Sequence, residues 1–104
     1  MSDDFKKYDG GKSRVDLLDP RFMLMLGHVL RFGATVKGYG EDNWKQCTDT
    51  KRYFAAMLRH SFEAMEHGAE ALDEESGLPI LAHAAINAMF AYCLARDAKE
   101  KGGK

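Results

Sequence analysis

Few of the special devices that stabilise or localise small proteins are present in this 104-residue sequence. Its two cysteines, Cys47 and Cys93, are too few for a disulfide framework and lack C-x-x-C spacing, which points to a reducing compartment. No Cys/His pairing has the spacing of a zinc site. No run approaches the roughly 18 apolar residues of a membrane span, and the N-terminal stretch Met1-Ser2-Asp3-Asp4-Phe5-Lys6-Lys7 has no apolar signal region. With 15 Lys+Arg against 16 Asp+Glu and no basic block, the chain lacks the stripe that neutralises a nucleic-acid polymer. Room for one nucleotide in a pocket is not excluded by this. Internal repeats and useful β-alternation are also missing. The absences together predict a soluble cytoplasmic protein with neither a membrane nor a nucleic-acid polymer as partner.

At 45% apolar and 30% charged residues the chain is too hydrophobic for a disordered segment. Its length suits one domain, 1–104. Residues 1–18 carry no sustained period and read as an arm, with room for a short helix. Residues 19–100 read as a helical core, and 101–104, with Gly102-Gly103, as a frayed tail.

Within the core, Asp19-Pro20 supplies an N-cap acceptor followed by proline where its missing N–H costs nothing. Phe22, Met25, Leu26, Val29, Gly33 and Val36 then fall on one face, predicting a helix over about 20–37 that Gly38 and Gly40 end. Gly33 would let another backbone come close. A glycine-punctuated loop over 38–47 carries Tyr39 and the only tryptophan, Trp44. Thr48 or Asp49 can cap a second helix running to about Leu72. Its apolar arc of Phe54, Met57, Leu58, Phe62, Met65, Ala69 and Leu72 is the side expected to be buried. Arg59, His60, Glu63, Glu66, His67 and Glu70 lie opposite. Pro79 starts a third helix to about Lys99, apolar on all sides between Ile80 and Ala95 and expected to be surrounded by protein. Ala84, Ala88, Ala91 and Ala95 form a small-residue ridge on it. The fold class is therefore all-α, a small bundle of three main helices plus an N-terminal arm, expected to be completed by oligomerisation.

Several constellations carry chemistry. His83 and Asn87 lie one turn apart on the apolar third helix, and burying two such groups without partners costs several kcal/mol. They must meet other protein groups, a ligand or an ion. On the second helix His60, Glu63, His67 and Glu70 share an arc of about 80°, with Glu66 at its edge. Carboxylates spaced in this way can hold Mg²⁺ or can form a solvated face. Asp73, Glu74 and Glu75 could complete a metal site or simply solubilise a turn. Gly11-Lys12-Ser13 echoes a phosphate-binding loop, but Lys6 stands where the pattern needs glycine. Asp9-Gly10-Gly11-Lys12 remains a turn that could offer N–H groups and an ammonium to a phosphate. Trp44 and Tyr39 could stack a base or anchor their loop.

The order of the pieces resembles a known family. They are Lys7-Tyr8-Asp9-Gly10-Gly11-Lys12 with Asp16-Leu17-Leu18, Phe32-Gly33-Ala34, Gly38-Tyr39-Gly40 and Asn43-Trp44, then Arg52-Tyr53, Arg59-His60, Asp73-x-Glu75-Ser76-Gly77-Leu78 and Leu81-Ala82-His83-Ala84 with Asn87. Together they resemble the small, often phage-encoded dATP/dGTP diphosphohydrolases, related to the MazG-like all-α nucleotide pyrophosphohydrolases. The resemblance implies a helical homo-oligomer that converts a purine deoxynucleoside triphosphate to the monophosphate and pyrophosphate, with Mg²⁺ or a similar ion such as Mn²⁺ or Co²⁺. It would work in the host cytoplasm where phage-encoded. The wider superfamily holds the metal with Glu-x-x-Glu and Glu-x-x-Asp patterns on two antiparallel helices. This chain has His60-x-x-Glu63 and Glu63-x-x-Glu66 on the second helix, but His83 and Asn87 on the third, and Ile80 where family members often carry His.

On that basis Glu63, Glu66, Asp73 and Glu75 are the expected metal ligands, and His60 and Glu63 the catalytic pair. Lys7 and Lys12 would meet the polyphosphate, with Asn43, Trp44, His83 and Asn87 orienting the nucleotide. The same residues also fit a non-catalytic helical module that binds a nucleotide or a protein.

Overall fold

The computed structural model describes residues 4–102, and all regular elements among them are helical. Three α-helices form the frame: α1 over Pro20–Arg31, α2 over Lys51–His67 and α3 over Ile80–Gly102. Among its described residues the arm turns at 9–12, where the Lys12 N–H donates to the Asp9 carbonyl at 3.1 Å, and forms one 3-10 turn at Val15–Leu17 where a short helix had room to form; residues 1–3 lie outside the described residues. Residues 101 and 102 continue α3, while 103 and 104 of the expected tail lie outside the described residues.

The start of α1 follows from the sequence. The Asp19 carboxylate accepts the Phe22 N–H at 2.9 Å and Pro20 occupies the first helical position. Past Arg31 the helix widens into a π-turn over Phe32–Val36. The Thr35 hydroxyl donates to the Arg31 carbonyl at 2.7 Å, occupying the acceptor an α-helical Thr35 N–H would use. Gly38 and Gly40, at φ +77° and +89°, then turn the chain away. A Cβ at Gly33 would meet nothing within 4 Å, so this glycine serves no close backbone approach within the chain.

α2 is shorter than the hydrophobic period predicts. Its last residue is His67, because Gly68 takes φ +115°, a conformation open to glycine and poorly tolerated elsewhere. Ala69, Glu70 and Leu72 therefore belong to the following loop. That loop closes on itself through Ile80 N–H to Ala71 O (3.0 Å), Asp73 N–H to Leu78 O (2.7 Å) and an isolated bridge between Leu72 and Pro79. Pro79 sits immediately before α3 and accepts the Ala82 N–H, as a helix start requires.

Ring contacts fix how the helices run. His60 meets His83 and Tyr53 meets Phe90, so as α2 advances α3 recedes and the two are antiparallel. α1 packs on α3 through a core of Val29, Ala82 and Ile86, joined by Phe22, Met25, Leu26, Leu78 and Phe90. This part agrees with the amphipathic reading of α1.

The buried side of α2 is rotated from the expected one: Met57 is partly buried and Arg59, Glu63, Glu66 and His67 are exposed as expected, but most of the apolar arc is not covered. Ala64 is buried and Tyr53, Ala56, Met57 and His60 are partly so, whereas Phe54, Leu58, Phe62, Met65 and the loop residue Leu72 are exposed. α3 is covered on only part of its circumference: Ile80, Ala84, Ile86, Ala91 and Leu94 are buried, but Leu81, Ala88, Met89, Tyr92 and Ala95 are exposed. The alanine ridge is split accordingly, half inside and half outside.

Candidate functional site

A cleft of about 930 Å³ opens between the π-turn, the Trp44 loop, α2 and the loop before α3. That is at the upper end of the ~300–1,000 Å³ typical of small-molecule sites. His60, Glu63, Asn43, Trp44, Asp73, Glu75, His83 and Asn87 all line it. The remaining residues singled out for the site lie elsewhere. Glu66 is off the cleft with its carboxylate 3.5 Å from His67 Nε2, and Lys7 and Lys12 are exposed on the arm, Lys7 3.9 Å from Asp9. Neither His67, the last residue of α2, nor Glu70, in the loop beyond it, lines the cleft.

At the centre of the site His60 and His83 stack with ring centroids 5.1 Å apart and planes inclined by 29°. His60 Nδ1 lies 3.2 Å from Glu63 Oε1, an i,i+3 pair on one face of α2. His83 is fixed from the opposite side by the Asp73–Ser76 turn. The Asp73 carboxylate accepts the Ser76 N–H at 2.9 Å, Gly77 supplies φ +72°, and the Ser76 oxygen accepts the Leu78 N–H at 3.1 Å. Ser76 Oγ then stands 2.7 Å from His83 Nε2, and a neutral imidazole bare at Nε2 accepts the hydroxyl hydrogen. Asn87 donates through Nδ2 to the His83 carbonyl at 2.8 Å. The partners that two polar groups on an apolar helix require are thus a neighbouring loop and the helix's own backbone.

Burial lowers the His83 pKa below the ordinary imidazole value, against the opposing pull of Asp73. For Asp73 burial pushes the carboxyl up, but the Ser76 N–H foremost, with His83 and His60 nearby, outweighs it and holds the carboxyl below its usual range.

Three cations also face the cleft: Lys37, Arg52 and Arg59. Lys37 Nζ lies 3.4 Å from Glu75 Oε1 and 5.6 Å from the Tyr39 ring centroid, placed there by the π-turn. Sequence reasoning had placed the phosphate contacts on the arm. The signal for the arginines was available, since Arg52, Ala56, Arg59 and Glu63 recur at helical spacing with one small residue among them. For Lys37 no such signal existed. An aromatic wall completes the cavity: Trp44 stacks on Phe90 at 4.7 Å, and Tyr53 meets Phe90 edge-on at 5.0 Å.

Among the described residues no three of His, Cys, Asp and Glu converge as a ready-made metal cage. Glu63, Asp73 and Glu75 share one cleft, and each holds a protein partner. Oxygen donors of this kind suit Mg²⁺, which uses one or two carboxylates together with substrate phosphates and waters.

No solved structure matches the chain. Over 88 residues, 85% of its length, the chain is 38% identical to a protein of Salmonella phage PMBT28 named dATP/dGTP diphosphohydrolase. The chain spans 29% of the length of that curated relative. The family described as dATP/dGTP diphosphohydrolase, N-terminal, matches residues 2–103, and the chain belongs to that family.

Proposed function

We propose that the cleft hydrolyses a purine deoxynucleoside triphosphate, dATP or dGTP, to the monophosphate and pyrophosphate. The observation that carries this reading is the meeting of Lys37, Arg52 and Arg59 with Glu63, Asp73 and Glu75 around the stacked His60–His83 pair. Cations alone would suit any phosphate. Carboxylates beside them repel a polyanion unless a divalent cation stands between, and that combination is the one phosphoryl chemistry uses.

Lys37, Arg52 and Arg59 bind the triphosphate, the arginines as planar forks. The base lies along the aromatic wall of Trp44, with Asn43 and the Asn87 side-chain carbonyl left to hydrogen-bond it. With its proton on Nδ1, His60 donates to Glu63 and presents Nε2 to a water. That water attacks the α-phosphorus, its proton passes to His60 Nε2, and the α–β phosphoanhydride bond breaks to release pyrophosphate. Glu63 orients His60 and balances the charge it gains. His83, held neutral by its burial and by Ser76, packs against His60 and keeps the ring in place. Glu63, Asp73 and Glu75 are the residues that would hold Mg²⁺, or Mn²⁺ or Co²⁺, whose charge neutralises the phosphates. Glu66 is left out because it lies off the cleft. The substrate pool is that of the cytoplasm.

The test is product analysis of deoxy- and ribonucleoside triphosphates incubated with the purified protein and a divalent metal. Monophosphate with pyrophosphate from purine deoxynucleotides is expected. Diphosphate with phosphate, or nucleoside with triphosphate, would overturn the reaction. No product from any substrate and metal would leave a binding module.

A further inference from the structure

Two walls of the cleft are joined by an ion pair. Lys37 closes the π-turn, its N–H bonded to the Phe32 carbonyl at 3.0 Å, and Glu75 lies in the turn that Asp73 closes with Ser76 and Gly77. Lys37 Nζ and Glu75 Oε1 meet at 3.4 Å although the residues are 38 apart in the chain. The pairs Lys7–Asp9, Arg14–Asp16, Lys45–Asp42 and Arg96–Asp97 join near neighbours, whereas this one is set by the tertiary fold. Arg52 and Arg59 line the same cleft, and among the described residues neither has a carboxylate at ion-pair distance. The three cations of the cleft are therefore unequal.

We infer that Lys37–Glu75 is a selective latch: Glu75 withholds Lys37 from a bare anion and releases it to a polyphosphate that carries a divalent cation. The inference rests on the reading of the cleft as a polyphosphate site. A bare anion that draws the ammonium away breaks the pair and leaves an uncompensated carboxylate beside its own charge. A cation-loaded polyphosphate meets both needs, its oxygens taking the ammonium and its cation the carboxylate. Glu75 is thus a repulsive element of the kind specificity uses, acting against one form of the ligand and not the other. Exposure suits this exchange of partners. The two side chains are 35% and 64% exposed, and a pair so placed changes an equilibrium by about fivefold at most. The Tyr39 ring, 5.6 Å from Nζ, remains a contact for the ammonium after the carboxylate leaves. Arg52 and Arg59, not so restrained, take up phosphate in either form.

Isothermal titration calorimetry with inorganic pyrophosphate tests this, first in metal-free buffer and then with Mg²⁺. Without metal, Lys37→Met weakens binding about twofold in the wild type and about tenfold in the Glu75→Gln background, a coupling of about fivefold. Arg59→Ala weakens it by the same factor in both backgrounds, because no pair ties Arg59 to Glu75. With Mg²⁺, Lys37→Met costs the wild type about tenfold as well, since the cation has taken the carboxylate. A Lys37→Met effect equal in the two metal-free backgrounds overturns the latch and leaves the polyphosphate site standing. So does a cost that stays at about twofold with Mg²⁺, or an Arg59→Ala effect that varies with Glu75 as much as the Lys37→Met effect does. Pyrophosphate that binds none of these proteins overturns the latch together with the reading on which it rests.

Discussion

The two sides of α2 differ in what their residues do for one another. The cleft side is polar and partly paired, as in His60 with Glu63, His83 with Ser76 and Lys37 with Glu75, while Arg52 and Arg59 face the cavity. On the back side large apolar groups stand about half or more exposed to solvent, Met65 most of all. One helix thus carries a polar side that lines the cleft and an apolar side that is exposed. The spacing of apolar residues along α2 is the same as in a helix with one buried and one solvated face, because only neighbouring elements decide which side is covered.

Breaking the cleft side has the largest expected effect. His60→Gln, which keeps a polar side chain but removes the base, should lower kcat about 10²- to 10³-fold with secondary structure unchanged. Full turnover would remove His60 from the chemistry. Arg59→Ala should raise KM about tenfold with a smaller change in kcat, the signature of lost ground-state binding to phosphate. Equal loss in kcat would instead place Arg59 on the transition state. Phe62→Glu, on the opposite side, should leave kcat and KM within about twofold, which separates the two faces in one variant.

Smaller effects probe how the cleft is held. Ser76→Ala removes the hydroxyl between Leu78 and His83 and should cost about 1–2 kcal/mol in chemical denaturation. Stability should also fall with acidification. His83 has a lowered folded pKa, so the unfolded chain binds the proton first, and the contribution is whole above the ordinary value of 6.5 and declines as pH falls below it. Asp73, also lowered, keeps its contribution above the ordinary value of 3.8 and loses it in more acid solution. Melting temperature between pH 7.5 and pH 5 should drop in the wild type and drop less in His83→Asn. An equal drop in both would assign the acid sensitivity elsewhere.

Much of the frame is legible in the sequence. Asp19-Pro20 and Pro79 mark their helix starts because a cap acceptor and a fixed φ act locally. The need of His83 and Asn87 for partners is equally plain, since an apolar helix offers them nothing. Reading α2 to Leu72 fails because one glycine at φ +115° outweighs a hydrophobic period that runs on past it. Placing the phosphate contacts on Lys7 and Lys12 follows the glycine turn, whereas the fold lines the cleft with Lys37, Arg52 and Arg59.

What the sequence determined by itself is therefore local: an all-α chain, three helices with their starts, and the set of residues capable of chemistry. Those outcomes depend on dihedral preference, capping and periodicity within a few residues. Tertiary structure alone decided that His60 stacks on His83, that Ser76 lies within hydrogen-bond distance of the second imidazole, and that much of the apolar side of α2 faces outward. These are contacts between residues distant in the chain. They depend on how α2 and α3 rotate about their axes when they pack, and a single-helix pattern carries no information about that rotation.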